Sequence, residues 1–437
     1  MNIILLSGGS GKRLWPLSND IRSKQFLQLF RRPDGAYESM IQRVYRQLNN
    51  IGIQTHITVA TNEKQVSEIH RQLGNDVDVC VEPVMKDTFP AIALSAAYLV
   101  DQKGVKPTES IVVCPVDPMV TSEYFRALIA LQYQSEVGNA NIVLMGMEPS
   151  YATDKYGYIL PEGDGKLAMV KSFKEKPSRD QAQKFMDEGA LWNGGVFGFK
   201  LGYMIAKSRE FVDYTDFKDL KARYDSLTKI SIDYAVVEKE KSIKVISFDG
   251  DWMDVGTWKT LTAVMDEKSV GNVHFDDTCE DTHIINELDV PILAMGLKNI
   301  VVAASADGVI VADKDQSSYM KPYVDKIEGP VMYAEKSWGS YRVLDIEDAG
   351  MTVKVTLMPG HSMNYHSHER RDEIWTVIDG EGVAIVDGDR RKVVVGDTVF
   401  LPRGCKHTIQ ATTLLKVMEV QVGTDIDVKD KIKHKLV

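Results

Sequence analysis

At 437 residues the chain is too long for one ordinary hydrophobic core, so two or three domains are expected. Apolar residues make up 44% and charged residues 26%, the balance of a globular protein. With 52 basic against 62 acidic side chains the formal charge is −10, which argues against a polyanion-binding surface and so against nucleic acid or an anionic membrane as partners.

In chain order, the first predicted element is a buried strand, Ile3–Leu6, within MNIILLSGG, a run too soon broken by glycine to be a signal peptide. It leads into Ser7-Gly8-Gly9-Ser10-Gly11, where glycines let backbone N–H groups approach an anion closely. The loop fits neither GxxxxGK[ST] nor GxGxxG. Lys12, Arg13, Arg22 and Lys24 follow within thirteen residues, a local excess of positive charge that calls for an anionic partner such as phosphate. Further buried strands are predicted at Ile57–Ala60, Ile111–Val116 and Asn141–Met147, with helical periodicity at Phe89–Val100 and Tyr124–Glu136. This alternation predicts a mostly parallel, doubly wound α/β sheet. From about Gly271 the helical pattern gives way to short β-like runs (ILAMGL, IVVAA, GVIVAD), and Gly339–Gln421 shows only strands and turns. The predicted division is an α/β domain over 1–268, a β-rich connector over 269–328 and an all-β domain over 329–437. No apolar stretch reaches the roughly 20 residues that span a bilayer. Cys80, Cys114, Cys279 and Cys405 form no CxxC pair and read as reduced thiols, so a cytoplasmic setting is expected.

The stretch GGSGKRLWPLSN…KQF resembles the signature of the sugar-1-phosphate nucleotidyltransferases, and within them the bacterial mannose-1-phosphate guanylyltransferases. Lys12 stands where the family has a small hydroxyl residue, and Ser23 where it has proline; Arg13 and Lys24 keep their register. The resemblance implies a Rossmann-like, glycosyltransferase-A-like fold, with Arg13, Lys24 and Asp117 catalytic. It places the nucleotide against Ser7, Gly8, Gly9, Gly11 and Lys12. Glu82-Pro83…Lys86-Asp87-Thr88 resembles the family's E-P-x-x-R-N-T, which implies nucleobase contacts from Glu82, Asp87 and Thr88. A carboxylate suits guanine, whose N1–H and N2–H₂ are adjacent donors. Asp117 follows a buried strand at its C-terminal end, where ligands bind in open α/β sheets. With Asp254 of Trp252-Met253-Asp254-Val255-Gly256-Thr257-Trp258 it forms an acid pair expected to hold Mg²⁺. The segments Tyr156-Gly157-Tyr158, Phe173-Lys174-Glu175-Lys176-Pro177 and Trp192-Asn193-Gly194-Gly195 resemble the sugar-phosphate half of the family site. They imply roles for Gly157, Glu175, Lys176 and Asn193, with Asp233 in support. The implied substrates are GTP and mannose 1-phosphate, and a homodimer is expected.

Gly360-x5-His366-x-His368-x4-Glu373-x6-Gly380 and Gly396-x5-Pro402-x-Gly404-x2-His407 resemble the two cupin motifs. Two histidines at i and i+2 of a strand share a face. His366, His368, Glu373 and His407 are therefore expected to form a site for Zn²⁺, Fe²⁺ or Mn²⁺ in a C-terminal jelly roll. The connector, expected to be β-helix-like, and this domain together resemble bifunctional enzymes that join guanylyltransferase to mannose-6-phosphate isomerase. Here two residues are inserted before Glu373, and Ile374 replaces a histidine of the isomerase pattern. The sequence leaves open another base or sugar 1-phosphate, including a CTP-dependent reaction. It also leaves open a cupin isomerase or epimerase carried by a binding-only N-terminal domain.

Overall fold

The computed structural model describes residues 1–9, 11–19, 21–424, 426 and 430–436. The chain forms two compact units: one comprises residues 1–10 and 23–266, the other residues 11–22 and 267–437.

The first unit is built on a nine-stranded sheet. From one edge its strands are Asp78–Glu82, His56–Asn62, Asn2–Leu6, Ser110–Pro115, Leu191–Lys200, Ile142–Met147, Ile243–Phe248, Leu167–Lys174 and Tyr158–Pro161. The first four are parallel. The expected mostly parallel sheet is broken at Leu191–Lys200, which runs antiparallel to both neighbours. The apolar runs that mark the central strands are buried because helices cover both faces. Ile3, Leu5, Val112, Cys114, Val143 and Met145 pack with Phe125 and Leu128 on one side. Ile4, Ile111, Val113, Ile142 and Leu144 pack with Phe89, Ile92 and Ala96 on the other. The predicted helices are observed as Thr88–Lys103 and Ser122–Val137. The first of these is capped by the Asp87 carboxylate and stopped by Gly104 at φ 69°.

In the second unit, Ser269–Val270, His283–Asn286 and Ile300–Ser305 pair in parallel, as do Val273–Phe275 and Ile292–Ala294. Gly308–Asp313 closes the first of these ladders in antiparallel fashion. Beyond it lie two facing sheets. A six-stranded one has the order Tyr333–Lys336, Gly339–Glu347, Gly350–Leu357, Leu415–Gly423, Arg371–Asp379, Thr398–Leu401. A five-stranded one has the order Asp389–Val394, Glu381–Val386, His407–Ala411, His366–His368, Lys431–Lys433. Strand alternation sends Trp375, Val377, Leu357, Val417, Ile409 and Leu401 into the space between them. Among the described residues no helix is long and apolar enough to cross a membrane.

Candidate active site and candidate metal centre

The glycine turn grows directly from the first strand. Ser7 is buried, its N–H donating to Ala60 O at 2.9 Å and its hydroxyl accepting from Gln25 Nε2 at 3.3 Å. Gly8 and Gly9 are exposed, and Gly9 lies at φ 124°, a conformation that excludes a side chain. Ser23 ties the two ends of the loop together: its hydroxyl donates to Gly9 O at 3.2 Å and accepts from Gln65 Nε2 at 2.7 Å.

Asp117 and Asp254 come from distant stretches of sequence, and folding makes them neighbours. Trp252–Asp254 pairs with Pro118–Val120, with Asp254 opposite Pro118. Lys24 Nζ lies 2.7 Å from Asp117 Oδ2 and 3.7 Å from Asp254 Oδ1, and it donates to Val255 O at 3.2 Å. An ammonium shared by two partly exposed carboxylates marks a point of converging negative potential, and the same oxygen donors suit a hard divalent cation. A Cβ on Gly256 would stand 3.1 Å from Asp254 Oδ1, so glycine there leaves the carboxylate its room.

The other cations of the opening stretch are distributed differently from expectation. Arg22 donates to both oxygens of Glu287, at 2.9 and 2.8 Å, has Glu335 Oε2 at 3.6 Å and lies over the Tyr333 ring. Burial opposes its charge, but Glu287 and Glu335 together hold the guanidinium above its ordinary range. Lys12, expected at the triphosphate, pairs with Asp325 at 3.0 Å. Asn19 donates to Asp307 at 2.8 Å, and the Ser305 hydroxyl donates to Pro16 O at 2.7 Å. Arg22 and Lys12 thus have partners within the chain, which answers part of the charge excess without a ligand. Arg13 is exposed and makes no hydrogen bond or ion pair with another described residue.

At the segment expected to face the base, Glu82 is buried. It accepts from Tyr224 Oη at 2.9 Å and from the Lys86 backbone N–H, while burial pushes its carboxyl pKa upward. Two of its acceptor positions are thus engaged by the chain itself, beside the nucleobase contact expected of it. Lys86 is held by Asp225 O and Leu227 O, at 2.5 and 2.9 Å. Asp87 sits at φ 76°, ψ −176°, a conformation strained for any residue but glycine, and its carboxylate accepts from Thr88 N at 2.7 Å. Thr88 Oγ1 accepts from Ile232 N at 2.9 Å. Tyr224 was missed by sequence reasoning: no motif surrounds it.

The sugar-phosphate residues do converge. Lys176, at φ 44°, reaches Glu175 Oε1 at 2.6 Å. Burial works against its charge, but Glu175 and Asp233 outweigh that and raise the ammonium's pKa. Glu175 is buried with Oε2 lacking a hydrogen-bond partner, and that oxygen lies 2.5 Å from where a Cβ on Gly157 would be. A buried free acceptor under a glycine is a cradle for a ligand hydroxyl. Asn193 donates to Asp233 Oδ1 at 2.7 Å, accepts from Gly195 N at 3.1 Å, and its own N–H donates to Gly157 O at 2.8 Å. Burial, then the charge of Glu175, pushes the Asp233 carboxyl up to about 7. Tyr156 lies between Trp192 and Trp252, with ring centroids at 5.1 and 5.5 Å.

In the second unit, His366, His368, Glu373 and His407 are buried, with one ligand atom from each lying within 4.8 Å of the others. Each histidine has Nδ1 against a backbone carbonyl: His366 on Asn364 O at 2.5 Å, His368 on Asp430 O at 3.0 Å, His407 on Cys405 O at 3.1 Å. Carbonyl oxygens only accept, so each Nδ1 carries the proton and each Nε2 presents a lone pair. Burial, then the charge of Lys431, lowers the His366 pKa to about 2 and keeps the ring neutral. His407 Nε2 and Glu373 Oε2 are 3.3 Å apart, both buried and neither hydrogen-bonded. Two acceptors that close need a cation between them, and three imidazole nitrogens with one carboxylate fit a divalent transition metal. Arg371 donates to Glu373 Oε1 at 3.0 Å and to His368 Nε2 at 3.1 Å. Neither Arg371 nor Asp430 was singled out from sequence.

The nucleotidyl transferase family matches residues 2–269 and the cupin domain family residues 353–421. Curated relatives named mannose-1-phosphate guanylyltransferase are found in Salmonella montevideo and in Escherichia coli K12. Each is 28% identical over 98% of this chain, covering 98% of the first relative and 97% of the second. A solved structure described as mannose-1-phosphate geranyltransferase, from Thermus thermophilus, aligns with a TM-score of 0.62 at 26% identity. It covers 74% of this chain and 98% of that one.

Proposed function

The chain belongs to the nucleotidyl transferase family, and we propose on that premise that it joins GTP to mannose 1-phosphate, giving GDP-mannose and pyrophosphate. The named activity of the full-length relatives supports the choice of substrates. The observation that carries the chemistry is Lys24 lying between Asp117 and Asp254. In this reaction a phosphate oxygen of the sugar 1-phosphate attacks the α-phosphorus of the triphosphate, and pyrophosphate leaves in line. Positioning and charge neutralisation do the catalytic work. Asp117 and Asp254 would hold Mg²⁺, which supplies charge neutralisation on the phosphates when bound. Lys24 neutralises phosphate charge beside them, and exposed Arg13 offers a planar fork to the triphosphate. Lys176 takes the sugar phosphate, and the free oxygen of Glu175 accepts from a sugar hydroxyl. Both substrates are soluble phosphorylated metabolites and the four cysteines are unpaired, which suits a cytoplasmic setting.

The cupin cluster carries a second activity in this reading, a mannose-6-phosphate isomerase. His366, His368, Glu373 and His407 would hold Zn²⁺, Fe²⁺ or Mn²⁺, whose Lewis acidity polarises a substrate carbonyl.

The test is a pyrophosphate-release panel: GTP, CTP, UTP and dTTP, each with mannose 1-phosphate and with glucose 1-phosphate. GTP with mannose 1-phosphate is expected to dominate. A preference for CTP or for glucose 1-phosphate would keep the chemistry and replace the substrates; no release from any pair would remove the transferase reading. Formation of fructose 6-phosphate from mannose 6-phosphate with each of the three metals tests the cupin activity, and its absence with all of them removes it.

A further inference from the structure

Two of the four cupin ligands stand on a three-residue strand, His366–His368, whose contact with the rest of its sheet on one side is the single pair His366–His407. On its other side runs Lys431–Lys433, in the register His366–Lys433, Ser367–Ile432, His368–Lys431. The segment carrying that edge strand is tied to the ligand strand at both ends. At one end His434 N donates to Tyr365 O at 2.8 Å, and the His434 ring lies 2.8 Å from the Ser367 hydroxyl. At the other, the buried Asp430 carboxylate accepts from Glu369 N at 3.1 Å and Arg370 N at 3.3 Å, and lies 3.7 Å from Arg371 Nη1. The Asp430 carbonyl receives the His368 Nδ1 proton.

His366 and His407 have their Nδ1 partners two residues away, on their own chain segments. His368 is different, because its partner comes from a segment sixty-two residues later. Without the Asp430 carbonyl, His368 would be free to adopt the Nε2–H tautomer, which points a proton at the ligand cluster in place of the lone pair a metal needs there. Asp430 would also cease to order the turn that leads to Arg371 and Glu373.

We propose that Asp430–His434 is the positioning element of the cupin centre, fixing the tautomer and aim of His368 and thereby setting metal affinity. This rests on reading the cluster as a metal site, and the experiment separates the two claims. Zn²⁺ binding is measured by calorimetry in excess Mg²⁺, on the full chain and on four variants: His368→Ala, Asp430→Ala, Asp430→Asn and one lacking residues 424–437. In parallel, long-range ¹H–¹⁵N imidazole spectra of the metal-free proteins report tautomers. The wild type is expected to bind Zn²⁺ at the cluster and His368→Ala to lose it. The shortened variant should lose about 10–100-fold in affinity, Asp430→Ala about tenfold, and Asp430→Asn, whose amide oxygen still accepts, should stay closer to wild type. His368 should be the Nδ1–H form in wild type and lose that uniformity in the shortened variant, while His366 and His407 keep theirs. Unchanged affinity and an unchanged His368 tautomer in the shortened variant would overturn the proposal. Absence of Zn²⁺ binding by the wild type would instead remove the metal reading, and the tautomer spectra alone would then decide whether Asp430 positions His368. Melting curves of the metal-free variants identify any that fail to fold; if the shortened chain is one, Asp430→Ala, which keeps the carbonyl but loses the carboxylate that ties the segment to Glu369 and Arg370, carries the affinity comparison, and wild-type affinity there would overturn the proposal.

Discussion

Lys24 shows how a single side chain organises the proposed transferase site. Its ammonium joins two acids that the sequence keeps far apart, and substrate phosphates would draw on the same positive charge. Lys24→Ala and Arg13→Ala are each expected to lower kcat on the order of 10²–10³-fold, measured as pyrophosphate release at saturating substrates. Glu175 makes a different prediction, because its free oxygen lies in the segment proposed to bind the sugar. Glu175→Gln should raise the KM for the sugar 1-phosphate about tenfold, leaving the KM for the nucleotide within twofold. Asp233 carries a pH signature. Its folded pKa of about 7 lies above the ordinary carboxylate value of 3.8, so between pH 4 and 7 the unfolded chain loses a proton that the folded chain keeps. The contribution is greatest below pH 4 and declines as pH rises toward 7. Urea titrations should show Asp233→Asn losing that part of the slope; an identical slope in the variant would show that Asp233 ionises normally.

Among the elements, the segment 11–22 departs most from what its sequence suggests. Read along the chain it is one cationic loop; in the structure Arg22 and Lys12 are anchored on acids from Glu287 to Glu335. Arg22→Ala leaves Glu287 and Glu335 facing each other without their counter-ion, and should destabilise the second unit by about 3 kcal/mol in chemical denaturation. The conservative Arg22→Lys restores charge without the bidentate fork and should recover only part of it. What was legible in sequence follows the physics of short range. Buried strands announced themselves as apolar runs, and the paired cupin histidines by their i, i+2 spacing. Acid pairs such as Asp117 and Asp254 were recoverable because each sat in its own motif. Arg22–Glu287, Tyr224–Glu82 and Asp430–His368 each join a residue noted in the sequence to a distant partner that no motif marks, and neither periodicity nor composition encodes such pairings. The antiparallel Leu191–Lys200 strand escaped for the same reason: strand direction is set by connections, not by the hydrophobic pattern.

At the scale of the whole molecule, the two units carry separate chemical equipment. The first holds oxygen donors suited to a hard cation and the second imidazoles suited to a softer one. Nucleotidyl transfer should therefore follow Mg²⁺, and treatment with a chelator selective for transition metals over Mg²⁺, in excess Mg²⁺, should leave it within twofold while abolishing the proposed isomerase turnover. The central claim is that Asp117 and Asp254 act together at one point beside Lys24. Single-turnover pyrophosphate formation from GTP and mannose 1-phosphate, compared in wild type, Asp117→Asn and Asp254→Asn across a Mg²⁺ titration, tests it most directly. Each variant is expected to lose on the order of 10²-fold or more, with a weakened response to Mg²⁺. Wild-type rate and Mg²⁺ response in Asp254→Asn would contradict a shared site.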